Sequence, residues 1–276
     1  MFVEFQKIQI SIIKNSTNSN NIKNSIMQLI NKGHENICFY CDNLKNDPLD
    51  FRDIMDIFDF CINNGIKRIK LKTNGKNITE EVLKQLINKG VFFFDFILYG
   101  HSSQIHDDYT GIKNNFRDIF NAISTIEQIK IYDLSISAFI QLNIIINSNN
   151  YQLIENIVQL VLKYKINLIE LYLKDFNTAF SNIIPLVKKS IDYCLENQYT
   201  KCWFNIIDIP ACLLKNYEYF SNDFYCKTNN TIHQKIFIEK CQNCIIKHKC
   251  SGIAKKYIEK FGKKEFSPLT NLNFNN

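Results

Sequence analysis

Apolar residues recur along this chain with two periods that take turns. Short apolar or alternating runs at 8–13, 37–40, 68–72, 92–98, 138–146 and 168–173 predict strands. Between them, apolar residues return every three or four positions, which predicts helices at 21–31, 50–63, 80–88, 115–128, 151–164 and 181–197. Ile154, Ile157, Val158 and Val161 show the spacing most plainly. Gly33, Gly65 and Gly90 fall where helices should stop, and Thr79-Glu80-Glu81 is a helix start. Six strand–helix units in series predict an α/β fold with right-handed crossovers between parallel strands. The expected architecture is a partial (β/α)6 TIM-like barrel over residues 1–200, with an open doubly wound sheet as the other topology. No G-x-G-x-x-G follows the first strand, so a dinucleotide site has little support. From about residue 198 the alternation stops. Residues 201–276 are expected to form a small cysteine-rich module, too poor in regular elements to fold without a metal staple.

Composition narrows the function classes. The chain has 276 residues, 46% of them hydrophobic, enough for a sizeable core. Its net charge of +6 is mild, and no dense basic block interleaved with aromatics appears, which argues against nucleic acid. The heavy use of Ile, Asn, Lys, Phe and Tyr resembles the coding bias of an A·T-rich genome. The first residues look like the approach to a strand rather than an export signal. No apolar run reaches the ~18–20 residues of a membrane span. A cytoplasmic location is therefore expected, and ten cysteines in a reducing compartment point to metal binding more than to disulfides.

The sharpest chemical signal is Cys241-x2-Cys244-x5-Cys250, followed by Ser251, Gly252 and a helix-like run to Phe261. Thiolates are soft ligands, and four of them suit an iron–sulfur cluster or zinc. The array supplies three. Cys212, fixed behind Pro210, is the better placed fourth ligand, and Cys226 is the other candidate. Residue types leave zinc open, with His233 and His248 as further possible ligands. Cys38 and Cys41 also form a C-x2-C, but in the second strand, where they are expected as core thiols. His101 and His106 are expected in a loop, capping or exposed; His34 as solvent-facing; Trp203 as core. Asp95, inside an aromatic strand, is expected as a structural hydrogen-bond partner.

The order of these segments resembles radical S-adenosylmethionine (radical SAM) proteins with a SPASM or Twitch-type C-terminal extension. The resemblance rests on Pro210-Ala-Cys212, on the C-x2-C-x5-C-x-G array and on the helix after it. It also rests on Thr73-Asn74-Gly75 ending the third strand, on Gly100-His101 and Tyr109-Thr110-Gly111 after the fourth, and on Asn143 to Asn147 in the fifth. It covers roughly residues 5–270.

The departures matter as much. The family places C-x3-C-x2-C after its first strand, and those thiolates bind the cluster that cleaves S-adenosylmethionine. Here Lys14 to Asn21 contains no cysteine, histidine or carboxylate. The family's Gly-Gly-Glu after the second strand is replaced by Cys41-Asp42-Asn43, of which Asp42 alone could accept from an ammonium. The resemblance thus implies a degenerate member with no catalytic residues and no S-adenosylmethionine chemistry. It would keep one auxiliary [4Fe-4S] cluster, or zinc, at Cys212, Cys241, Cys244 and Cys250. It would act as an accessory protein that binds a substrate peptide or an intact radical SAM enzyme. A working enzyme with an unconventional cluster site and a zinc-stabilised binding protein are the competing expectations.

Overall fold

The computed structural model describes residues 5–9, 18–133, 137–197, 203–224 and 234–271. Strand β1 (Gln6–Gln9) leads, after a gap, to α1 (Ser19–Asn31), whose first turn is capped by Asn18 accepting from the Asn20 N–H at 2.8 Å. Then come β2 (Asn36–Tyr40), α2 (Ile54–Asn63), β3 (Arg68–Lys72), α3 (Glu80–Asn88) and β4 (Val91–Leu98). Two consecutive helices follow, α4 (Ser103–Thr110) and α5 (Asn115–Tyr132). The series continues with β5 (Phe139–Ile146), α6 (Ile154–Val161), β6 (Leu168–Leu173), α7 (Phe180–Glu196) and β7 (Trp203–Ile207). A two-stranded pair, β8 (Lys235–Ile236) and β9 (Ile253–Ala254), precedes the last helix, α8 (Lys255–Phe261). Gly33, Gly65 and Gly90 do end α1, α2 and α3, each with positive φ.

Strands β1 to β7 lie in one parallel sheet in chain order, the order of an unclosed TIM-like barrel and not of a doubly wound sheet. A seventh strand, β7, continues the alternation past residue 200, where the sequence pattern had become too short to read. Packing divides the chain into two compact units. One is Met1–Leu142 with Tyr164–Asn167; the other is Asn143–Lys163 with Leu168–Asn276.

In the first unit one face of β1–β4 is apolar and packs on helices. Ile37, Phe39, Ile69, Leu71, Phe94 and Phe96 are all fully buried there. Each such side chain contributes about 2 kcal/mol relative to exposure. The opposite face is different. Register puts Lys7 beside Cys38, Cys38 beside Lys70, Lys70 beside Phe93 and Lys72 beside Asp95. Parallel strands covered on both faces read as continuous hydrophobic runs. These do not, so this face serves something other than helix packing. In the second unit α6 buries the expected Ile154, Ile157, Val158 and Val161. There, β7 hydrogen-bonds to β6 from Trp203 to Ile207.

Candidate functional site

The C-terminal cysteines are positioned by tight local turns. Pro210 ends the excursion after β7, and a single 3-10 turn, Ala211–Leu213, presents Cys212. A second 3-10 turn, Glu239–Asn243, presents Cys241. The Cys244 N–H donates to the Cys241 carbonyl at 3.2 Å and the Cys250 N–H to the Ile246 carbonyl at 2.9 Å, which folds the array back on itself. Antiparallel β8–β9 then clips the two ends of the segment together. Ala211, Ile246 and Leu269 form a small buried cluster, and Cys212 and Cys244 pack against it.

Cys212, Cys241, Cys244 and Cys250 all line one cavity of about 430 Å³ in the second unit, with Phe237, Lys240 and Lys247 among its other walls. All four are unpaired thiols and half-buried. Burial, then the neighbouring Cys244 and Cys241 and Asp223, pushes the Cys212 thiol up to about 12; burial and Asp223 likewise raise Cys250. Among the described residues no three His, Cys, Asp or Glu side chains close on a common point as ligands of a single ion. Cys226 and His233 lie outside the described residues, and His248 is exposed and not among the residues lining the cavity.

Sequence reasoning passed over Asp223, which holds the two cysteine-bearing segments together. Its carboxylate is nearly buried and accepts from the Ser251 N–H at 3.0 Å, the Ser251 hydroxyl at 2.9 Å and the Ala211 N–H at 3.4 Å. Those donors neighbour Cys250 and Cys212. No spacing signals such a residue, because its role depends on two turns that are far apart in the chain.

The first unit carries a second cavity, about 410 Å³, where β3 and β4 end. Its rim is a buried hydrogen-bond network. Asp47 accepts from the Thr73 hydroxyl at 2.5 Å and the Asn74 N–H at 2.7 Å, holding the Thr73-Asn74-Gly75 turn. The Asn115 amide donates to the Asn74 carbonyl at 2.8 Å, and its oxygen meets His106 Nε2 at 2.9 Å. His106 Nδ1 accepts from the Tyr99 N–H at 3.2 Å, so the proton sits on Nε2. Burial lowers the His106 pKa. His106 is thus a fully buried structural link in α4, correcting the expectation of an exposed or capping loop residue. The helical turn after the fourth strand hides it from solvent.

Other expectations divide. The expected loop Asn15 to Asn21 is described only from Asn18 onward; residues 10–17 lie outside the described set. Cys38 is buried on the polar strand face, its thiol pushed up to about 12 by burial and then by Asp95. Cys41 lines the 410 Å³ cavity instead, raised to about 12 by burial and then by Asp47. His34 is half-buried at the turn after α1. Asp95 is buried, and desolvation raises its carboxyl against the opposing pull of Lys72, Lys70 and Lys7. Trp203 is not core: it is 53% exposed at the start of β7. No described helix is long and apolar enough to cross a membrane.

No protein-family model matches the chain, and no curated protein matches it by sequence. Solved structures do. SuiB from Streptococcus suis superposes with a TM-score of 0.51 at 14% identity, over 70% of this chain and 44% of SuiB. SuiB bound to its precursor peptide SuiA gives a TM-score of 0.50 at 13% identity, over 68% and 42%. TsrM from Kitasatospora setae, a radical S-adenosylmethionine methyltransferase, gives 0.41 at 8% identity over 56% and 30%, too loose to build on. This chain therefore shares its fold with SuiB and spans less than half the length of the SuiB chain.

Proposed function

We propose that this chain is a non-catalytic, radical-SAM-like accessory protein of peptide modification, whose Cys212, Cys241, Cys244 and Cys250 hold one auxiliary [4Fe-4S] cluster. The observation that carries the proposal is a contrast. Four thiols share one cavity in the second unit, whereas residues 10–21, after β1, contain no cysteine. Reductive cleavage of S-adenosylmethionine needs a cluster held by three thiolates near that strand. Cys38 and Cys41 offer two, one on the polar strand face and one in the 410 Å³ cavity. The all-thiol donor set around an apolar cavity fits a soft iron–sulfur group. Thiols spread around a cavity favour a polynuclear cluster over one zinc, whose four sulfurs stand only about 3.8 Å apart at Zn–S of about 2.3 Å. When bound, the cluster would brace the turns that carry its ligands and supply one-electron chemistry.

Charge supports a polypeptide partner. Residues 234–271 hold nine lysines and three glutamates, while the rest of the chain has 24 basic and 24 acidic residues. The excess of +6 therefore falls in the segment that carries Cys241, Cys244 and Cys250, with Lys240 and Lys247 in the cavity wall. Phe237 and Ile245 are exposed there, with Lys247 Nζ 6.0 Å from the Phe237 ring centroid. Such a surface suits an acidic segment carrying an apolar side chain, attracted at long range and anchored at short range. The SuiB–SuiA complex shows a protein of this fold with a peptide bound.

Anaerobic reconstitution tests the reading. Wild type should take up about four irons and four sulfides per chain. Cys244→Ser should lose them, and Cys38→Ser and Cys41→Ser should not. With reductant and S-adenosylmethionine, 5′-deoxyadenosine should stay at background. About eight irons, with turnover that depends on Cys38 or Cys41, would make the chain an active enzyme. Retention of zinc in place of iron would make the site a structural staple.

A further inference from the structure

We infer that the 410 Å³ cavity at the ends of β3 and β4 binds a small organic anion, its carboxylate or phosphate seated on Lys72. The site belongs to the first unit and stands whatever the C-terminal cysteines hold. Among the described residues that line the cavity, Lys72 is the one that is charged; the rest are apolar, such as Leu44, Ile97 and Ile119, or neutral and polar, such as Asn74 and Asn115. Its lining has the make-up of small-ligand pockets, which are mostly apolar with a few placed polar groups.

Three observations support an anion. First, the walls are pre-formed. Asn74 and Asn115 are held by the chain of hydrogen bonds from Asp47 through His106 to Tyr99, so binding would not have to order them. Second, the strand face below carries unbalanced positive charge. Among the described residues of β1–β4, Lys7, Lys70 and Lys72 share it with one carboxylate, Asp95. Lys70 is already committed, donating to Gln141 at 2.7 Å and lying 4.8 Å from the Phe5 ring centroid. Lys72 is half-buried and, among the described residues, makes no hydrogen bond and no ion pair within 4 Å. Third, Lys70 and Lys72 are two residues apart on one strand face, so their charges repel. A half-buried ammonium kept beside another costs stability, and an anion would offset that cost. A lysine grips as a point charge and does not select planar carboxylate over tetrahedral phosphate.

Thermal melts of the full chain at constant ionic strength test this, with inorganic phosphate and succinate titrated against chloride. A saturable rise in melting temperature with phosphate, succinate or both is expected, and the responding anion identifies the head group. Lys72→Gln should weaken the response about tenfold or more, the loss of a charge-assisted contact. Asp95→Asn removes the neutralising carboxylate and should tighten it. Lys67→Gln, at an exposed lysine paired with Glu35, should leave it unchanged. A response to neither anion beyond chloride, or an unaltered response in Lys72→Gln, would overturn the inference. Should Lys72→Gln fail to fold, Asp95→Asn decides: unchanged or weaker anion binding there sinks it.

Discussion

Replacing Asp223 should loosen the cysteine cavity without touching a cysteine. Its carboxylate ties Ser251, next to Cys250, to Ala211, next to Cys212, through two short contacts of 3.0 and 2.9 Å and one long one of 3.4 Å. A hydrogen bond to a charged acceptor contributes about 1.5–3 kcal/mol. Taking the low end for the short pair and neglecting the long contact, Asp223→Ala should cost about 3 kcal/mol. Asp223→Asn keeps one oxygen for Ser251 and loses the charge, so about half that cost is expected. At about 2 °C per kcal/mol for a chain of this size, melting should fall by about 6 °C and about 3 °C respectively. The chain's single tryptophan, Trp203, lies in β7, in the same unit as Asp223, so its fluorescence follows the relevant transition. Iron uptake on reconstitution should fall in the same order, alanine below asparagine below wild type. A cost under about 1 kcal/mol for Asp223→Ala, with wild-type iron uptake, would show that Asp223 does not organise the ligand turns.

Two further outcomes concern the first unit. Asp95 has a raised carboxyl, caused by burial and only partly offset by Lys72, Lys70 and Lys7; Cys38 and Tyr40 are further titratable groups on that face. A carboxyl raised above its unfolded value binds protons more readily in the folded chain. Stability from this group therefore rises as pH falls through the folded value and levels off below 3.8. Asp95→Asn should remove that rise, and urea midpoints of the two proteins from pH 8 to 4 should converge toward acid; parallel curves would refute it. Gly75→Ala should cost about 1–3 kcal/mol, since Gly75 has φ +84 and an added Cβ would stand 2.8 Å from the Asp118 carbonyl oxygen. A near-neutral effect in urea melts would mean α5 yields at no cost.

How legible the chain was depends on the length of each pattern. Strand β3 (Arg68–Lys72), helix α3 (Glu80–Asn88) and strand β6 (Leu168–Leu173) stand where their periodicity put them. Helix α4 was invisible because Ser103–Thr110 buries only His106 and Thr110, neither of them a hydrophobic residue, so no apolar stripe marks it. Residues 50–63 read as one helix; a 3-10 turn at Pro48–Asp50 precedes α2 instead, capped by Asp47. The cysteine array was legible as spacing. The companions that shape it, Asp223 and the Ala211 cluster, were not, since they are selected by tertiary contact. The polar strand face was present in the sequence as Lys70, Lys72 and Asp95, but only register shows that they share one side.

The sequence also led us to expect that residues beyond 200 need a metal to fold, and the packing around α8 limits how far that can hold. Tyr257 is fully buried, with Phe176, Phe180, Phe261 and Phe266 around its ring. Its hydroxyl accepts from the Phe180 N–H at 2.7 Å and donates to Glu265, which also accepts from the Ser181 N–H at 2.8 Å. Truncating such an aromatic costs about 3–5 kcal/mol, so α8 is anchored to α7 by packing and hydrogen bonds, without a metal. The ligand turns at 239–250 have no comparable anchor; Ile246 is their one buried residue, and most of the rest are exposed. Loss of the proposed cluster should therefore be local. Hydrogen exchange of reconstituted protein before and after chelation should show faster exchange at 239–250 and unchanged protection at 259–262. Tyr257→Phe, which orphans the Phe180 N–H, should raise exchange at 259–262 with the cluster in place. Equal loss of protection in both segments on chelation would mean that the module unfolds as one unit and that metal, not the aromatic anchor, holds α8.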